Sequence, residues 1–248
     1  MKVLIAGESW IQQAIDIKGY DFCTACTYTE VVKWLREALE KAGIEVTYMP
    51  DHQALRDFPF DKNELKQYGA VIISDLGSNT LLLHPDTTSK SIIKGNRLAA
   101  IKEYVEEGGG FAMIGGYYSF QGVDGKARYR DTEIGEILPI EMQTYDDRVE
   151  MPQGAKVEIV RKDHPILADI NGEWPLFLGY NRLLPRNDEA VLAKCGKDIF
   201  MAAQEYEKGR TFAFASDCAP HWGPPEFLNW EYYDKFWVNA VKWLAREI

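Results

Sequence analysis

The sequence predicts an α/β fold, a doubly wound, mostly parallel sheet with an antiparallel extension, and three observations carry the prediction. Short apolar runs that end at glycine or aspartate recur through the first half of the chain. Amphipathic segments with helical spacing alternate with them. Past residue 137 the alternation gives way to short apolar runs separated by Pro, Gly and Asn. Parallel strands need crossover connections, and helical crossovers also cover the sheet faces, so strand–helix alternation implies a parallel sheet.

The elements follow in order. Lys2 to Ala6 (KVLIA), stopped by Gly7, reads as a central strand. Glu8 to Thr29 is polar and aromatic and reads as a loop, longer than the ~2–6 residues of an ordinary strand-to-helix connection. EVVKWLREALEKAG, from Glu30, sets Val31, Leu35, Ala38, Leu39 and Ala42 on one helical face, with Thr27 and Glu30 spaced as a capping box and Gly43 as the stop. Ile44 to Met49 is a second strand, and after a helix-like ELKQYG the run AVIIS, residues 70–74, is a third that ends at Asp75. NRLAAIKEYVEEG carries Leu98, Ile101, Tyr104 and Val105 at helical spacing and stops at Gly108. GGGFAMIGGYYSF, residues 108–120, then holds a fourth strand, Phe111 to Ile114, between two glycine clusters.

In the second half, KVEIV, PLFLGY, EAVLA and DIFMAAQEY read as an antiparallel extension of the same sheet, so residues 1–248 are expected to form one domain. KGRTFAFASD, residues 208–217, reads as a tight turn and a last buried strand. A closing helix from about Tyr232 to Glu247 buries Tyr233, Phe236, Trp237, Val241 and Leu244.

Composition excludes several function classes. At 46% hydrophobic and 27% charged the chain is neither disordered nor fibrous. Its 28 Lys and Arg against 38 Asp and Glu give a net charge of −10, which repels a phosphate backbone, so nucleic acid is not an expected partner. No run reaches the ~18 apolar residues of a membrane span, and MKVLIAGESW lacks the long apolar stretch of a signal peptide. The expectation is a cytoplasmic protein with no membrane partner. Exposed aromatics would admit a homo-oligomer, and a buried core explains them equally well. The four cysteines, Cys23, Cys26, Cys195 and Cys218, read as free thiols. Cys23 and Cys26 have the spacing of a zinc or redox pair, but a structural zinc needs a second pair, so two packed or loop thiols are expected, and no metal or cofactor.

Open parallel sheets bind ligands outside the carboxyl ends of their strands. Four such ends stand out: Gly7-Glu8-Ser9-Trp10, Asp75-Leu76-Gly77-Ser78, Gly115-Gly116-Tyr117-Tyr118-Ser119 and Ser216-Asp217-Cys218-Ala219-Pro220-His221-Trp222. Converging, they bring together carboxylates, hydroxyls, one imidazole and aromatic faces.

GESW, KGYD, FPF with the later SDLGSNTLLL, GGGFAMIGGYYSFQG, YDDRVE, DHPIL and GRTFAFASDCAPHW resemble the glutamine amidotransferase-like family related to class I glutaminases and to the ThuA trehalose-utilisation proteins. The match runs nearly end to end. It implies a flavodoxin-like fold, and in class I glutaminases the strand after the glycine-rich turn leads to a nucleophilic Cys served by a His and a Glu. Laid on that pattern, Gly115 stands where the Cys would be, with no neighbouring thiol to replace it. Amide hydrolysis through a thioester needs a thiolate beside a base, so glutaminase activity by that route is not expected. Tyr117 and Ser119 stand near, but a phenol with a reference pKa of about 10 needs strong activation.

Each candidate has two readings. Gly115 and Gly116 either turn backbone N–H groups toward an oxyanion or simply make a tight strand-to-helix turn. Asp217 and His221 are either a base with its orienting partner, or a turn cap and a ring packed beneath Trp222. Glu8, Ser9, Trp10, Asp75, Gly77 and Ser78 either bind ligand or cap and pack their loops. Cys218, three residues before His221, reads as a small buried hydrophobe rather than a nucleophile. Two functions follow. One is a non-catalytic module that holds a small polar metabolite or a partner enzyme in the degenerate crevice; the other is an enzyme of altered chemistry using Asp217 and His221 on a sugar-like or amide substrate, with metal assistance as an option.

Overall fold

In the computed structural model, which describes residues 1–248, the chain opens with β1 (Lys2–Gly7), buried on both faces from Val3 onward as a run without polar alternation should be. The long loop expected next is instead a hairpin. β2 (Ser9–Lys18) and β3 (Asp21–Glu30) pair antiparallel over ten residue pairs and turn at Gly19, whose φ is +65°. Ile11, Ile15 and Ile17 on one strand face Tyr28, Thr24 and Phe22 on the other, a period-two pattern of β-branched and aromatic residues that favours strand. The capping box falls with the loop, since Thr27 and Glu30 lie in β3. Helix α1 (Lys33–Lys41) starts beyond them without a side-chain cap, buries Leu35, Ala38 and Leu39, and leaves Ala42 exposed past its end.

The crossovers continue as expected. β4 (Glu45–Met49), α2 (Asp51–Asp57) and α3 (Lys62–Leu65) lead to β5 (Ala70–Ser74). α4 (Ser78–Leu82), α5 (Pro85–Lys90) and α6 (Arg97–Glu106) lead to β6 (Gly110–Ile114). Asn96 caps α6 by accepting from the amides of Leu98 and Ala99 at 2.9 and 3.2 Å. The second half adds α7 (Glu133–Ile137), β7 (Ile140–Glu141), β8 (Arg148–Ala155), β9 (Glu158–Ile159), β10 (Phe177–Asn181), β11 (Leu184–Pro185), β12 (Val191–Cys195), β13 (Asp198–Tyr206), β14 (Gly209–Phe214), α8 (Pro225–Leu228) and α9 (Tyr233–Leu244).

The main sheet has eight strands in the order β4-β1-β5-β6-β14-β13-β12-β9. β4 through β14 are parallel neighbours, and β13, β12 and β9 extend the sheet antiparallel. This is the mostly parallel α/β sheet expected of a flavodoxin-like fold. PLFLGY departs from the reading, because its strand β10 pairs with β8 in a separate two-stranded ribbon. Leu178 instead donates its amide to Trp222 O at 3.0 Å and Asn181 to Ala215 O at 2.8 Å, so the ribbon crosses just beyond the end of β14. One continuous core of buried apolar residues runs from Val3 to Leu244 and spans both halves of the chain. No helix is long and apolar enough to cross a membrane.

Candidate functional site

The carboxyl ends of β1, β4, β5 and β14 meet at one edge of the sheet. Gly7 has a φ of +114°, and a Cβ on it would lie 1.8 Å from Ser74 O, so only glycine lets β1 end tightly against β5. Glu8, Asp75 and His221 then take φ values of 54°, 46° and 145°, conformations that side-chain-bearing residues avoid. Such conformations cost on the order of 1–3 kcal/mol each and gather at binding and catalytic sites.

These ends open on a cavity of about 1080 Å³. Glu8, Ser9, Trp10, Asp75, Gly77, Tyr117, Asp217 and His221 line it, all of them singled out in the sequence. Ser78, Gly115, Gly116, Ser119 and Trp222 do not line it and work behind the wall. Ser78 donates its amide to Ala127 O at 2.9 Å. Ser119 accepts from the Asp75 amide at 3.0 Å and donates to Ile114 O at 2.5 Å. Trp222 is buried and donates to Glu150 Oε2 at 3.1 Å.

Four buried or nearly buried carboxylates face this cavity. Glu8 accepts from Ser74 Oγ and, at 3.8 Å, from Cys218 Sγ. Burial and the charges of Asp217 and Asp75 push its carboxyl well above the usual range. Asp217 is likewise raised, by burial and then by Asp75, while its Oδ1 accepts from the Ala219 amide at 2.9 Å. Asp75 is raised by burial despite accepting from the Tyr118 amide at 2.6 Å. Asp51, which opens α2, accepts from the amide and hydroxyl of Ser9 at 3.1 and 2.8 Å and is pushed up to about 7, mainly by burial. No lysine or arginine pairs with any of the four; their one ion-pair contact is His221 Nδ1 to Asp217 Oδ2 at 3.6 Å.

The His221 ring stacks on Trp222 at 5.1 Å and meets Tyr117 edge-on at 4.4 Å. Burial lowers its pKa below the ordinary imidazole value, with Asp75 and Glu150 opposing. A neutral imidazole beside a carboxylate can accept a proton from a bound group.

The glycine turn differs from the strand-to-helix corner foreseen. No α-helix follows β6 before α7, so this turn brings no helix N-terminus to the cavity; those of α2 and α4, at Asp51 and Gly77, reach its wall instead. The turn's donors are also in use. Gly116 N–H donates to Asn181 Oδ1 at 3.0 Å, while Asn181 Nδ2 donates to Gly116 O at 3.1 Å and to Asp147 Oδ1 at 2.8 Å. Asp147 also accepts from the amides of Gln121 and Gly122 at 2.9 and 3.0 Å, and burial pushes it up to about 6. A Cβ on Gly115 would fall 2.3 Å from Ala215 O. Cys218 is buried below the cavity, 3.8 Å from both Ser74 Oγ and Glu8 Oε1, and its thiol is raised by burial and by Glu8 and Asp217. Such a thiol is a poor nucleophile. The nearest approach to a metal-binding set is Glu8, Asp217 and Cys218, one ligand atom of each lying within 4.8 Å of the others. Cys23 and Cys26, expected as packed or loop thiols, are exposed on the hairpin.

Sequence reasoning passed over Asp51, although it directly follows β4 and Pro50 as a fifth strand end. It also passed over Asn181, Asp147 and Glu150, which reach the site from the β8–β10 ribbon and its approach.

A mostly parallel sheet with this crevice at its carboxyl edge defines a doubly wound, flavodoxin-like α/β protein. The chain belongs to the GATase1-like family, whose model, described as "Putative glutamine amidotransferase", matches residues 2–246. Cytoplasmic Protein STM3548 from Salmonella typhimurium is 44% identical over 98% of this chain and 99% of its own, with a TM-score of 0.95. Cytoplasmic Protein STM1381 from Salmonella typhimurium LT2 is 43% identical over the same shares, 98% and 99%, with a TM-score of 0.94. A "Putative thua-like protein" from Parabacteroides merdae shares the fold at 11% identity and a TM-score of 0.59, over 99% of this chain and 90% of its own. A search of curated proteins finds no match.

Proposed function

We propose that the chain is a ligand-binding member of its family whose crevice holds a small polar metabolite bearing a protonated amine, with no thiol-dependent amide hydrolysis. One observation carries this reading: four carboxylates without a lysine or arginine partner surround one cavity. Burying an unpaired carboxylate costs several kcal/mol, and an ammonium group offsets that cost. The rings of Trp10, Tyr117 and Tyr118 on the wall suit a cation as well. Two facts speak against the glutaminase route: Gly115 carries no side chain and has no space for one, and Cys218 is held as a neutral thiol under the floor. The Salmonella relatives are described as cytoplasmic, and we place this chain in the cytoplasm with them.

Calorimetric titration with amino acids, polyamines and amino sugars, each beside a neutral isostere, tests the reading. An amine is expected to bind, its isostere at least tenfold more weakly, and Asp75→Asn to weaken the amine alone. Equal binding of amine and isostere would overturn it.

The Asp217–His221 pair supports a second reading, an acid–base enzyme acting on a sugar-like or amide substrate. Its support is the neutral imidazole 3.6 Å from Asp217 at the cavity wall. If a bound metabolite is recovered chemically changed, and His221→Ala stops the change while binding persists, this second function takes precedence.

A further inference from the structure

We propose that the β2–β3 hairpin is an assembly arm, whose apolar face docks on the same face of a second copy of this chain. The two strands pack on each other and only glancingly on any other element. They are anchored at the root alone, where Ser9 bonds Asp51, Val31 N–H donates to Glu8 O at 2.9 Å and the Tyr28 ring meets His52 at 5.4 Å. Ten residues per strand at about 3.3 Å each carry the tip roughly 33 Å from that root.

The faces of the arm differ. In the observed register Ile11 pairs with Tyr28 and Ile17 with Phe22, so these four side chains and Ile15 share one face. All five are exposed, Ile17 and Phe22 by 75% and 74%. The opposite face carries Gln12, Ala14, Asp16 and Lys18 across from Thr27, Ala25, Cys23 and Asp21. A lone two-stranded hairpin is at best marginally stable in water, and an exposed, largely apolar face of this kind, broken only by Gln13, Thr24 and Cys26, marks an interaction surface.

Charge and self-complementarity select the occupant. The arm bears Asp16, Asp21 and Glu30 against a single Lys18, on a chain of net charge −10, so an anionic lipid surface repels it. The docking face supplies eight residues, Ile11, Gln13, Ile15, Ile17, Phe22, Thr24, Cys26 and Tyr28, so the arm is one part of an interface whose standard size is ~20–30 residues a side. A second copy presents the same Ile, Phe and Tyr ladder, and a twofold axis brings like face to like face in a closed pair. Trp10 and Gln12, at the base of the arm, also line the cavity, so docking the arm fixes part of the cavity rim.

Sedimentation of the full chain between about 1 and 100 µM tests the proposal. The expected result is a species of twice the chain mass. The double variant Ile17→Asp/Phe22→Asp should raise the dissociation constant at least 100-fold and leave the circular dichroism of the body unchanged, while Ala14→Lys, on the polar face, should leave the dimer intact. Hydrogen exchange on the unaltered protein gives a second measurement independent of any variant: arm amides should lose protection on dilution. A wild-type monomer throughout the range overturns the proposal, whether or not it binds vesicles. So does a dimer that survives the double variant, dissociation by Ala14→Lys alone, or arm exchange that ignores concentration.

Discussion

At Gly115 an added Cβ would meet Ala215 O at 2.3 Å and Asn181 Oδ1 at 2.8 Å. A cysteine there must push back the backbone beyond β14 or break the Asn181 bonds to Gly116. Gly115→Cys is therefore expected to cost about 2–4 kcal/mol and to release no ammonia from glutamine; a denaturant melt and a coupled ammonia assay check the two halves. Asp51 yields a prediction with a definite sign. Its carboxyl is pushed up to about 7, first by burial, with the Ser9 hydroxyl and amide pulling down and Asp75 adding to the rise. A folded value above the ordinary carboxylate value of about 3.9 means that the folded chain keeps a proton the unfolded chain has lost. Stability from this group is thus full below about pH 4, falls as pH rises toward 7, and then levels. Asp51→Asn keeps an acceptor for Ser9 and removes the slope. The variant should match the wild type near pH 4 and exceed it by on the order of 1–2 kcal/mol at pH 8, as read by urea unfolding at both values.

Among the elements, α6 holds the site's scaffold through one buried side chain. Arg97 donates to Leu81 O at 2.6 Å, Thr80 O at 3.0 Å, and Ala54 O and Leu55 O at 3.1 Å each, with its guanidinium 4.8 Å from the Phe60 ring. It ties α2, which brings Asp51, to α4, which brings Asn79 and Thr80 to the cavity. Arg97→Met fills similar space but leaves four carbonyls short of a donor. The expected loss is about 3–5 kcal/mol, seen as a fall of roughly 10 °C in Tm; a fall under about 2 °C would show that water replaces the clamp. The elements legible in the sequence were those whose burial writes a period into it. β1, β5 and β6 are built on unbroken apolar runs, β14 ends in one at Phe212 to Phe214, and α6 and α9 show helical spacing. The arm has no buried face, and Gln13, Thr24 and Cys26 interrupt its apolar alternation, so Glu8 to Thr29 read as loop. The site divides in the same way. Glu8, Asp75, Asp217 and His221 could be read from their places after strands, whereas Asn181 and Asp147 reach the glycine turn from 65 and 31 residues away in sequence, through a ribbon that no local spacing encodes.

For the whole molecule, the field at the cavity mouth reflects a net charge of −10, part of which comes from acidic groups gathered at one sheet edge. A cleft in which one sign of charge predominates draws ligands of the opposite sign and raises their association rate. Lys126 and Arg128 also line the wall, but Lys126 is already paired with Asp124 at 2.8 Å, which limits its pull on an anion. The Debye length shrinks from about 10 Å at 0.1 M salt to about 3 Å at 1 M, so long-range attraction weakens with salt while contacts inside the cavity change little. For an amine ligand, stopped-flow measurements should show association slowing by roughly 3–10-fold between 0.02 and 0.5 M salt, with dissociation nearly constant. Raising the pH through 7 should act in the opposite direction on affinity. Asp51 gives up its proton there, and an ammonium group binds the ionised carboxylate better than the neutral acid, so the amine should bind more tightly at pH 8 than at pH 6. An association rate that climbs with salt means that like charges repel at the mouth. For an ammonium ligand the mouth would then be positive, with Lys126 and Arg128 outweighing carboxyls that are neutral acids and not counter-ions.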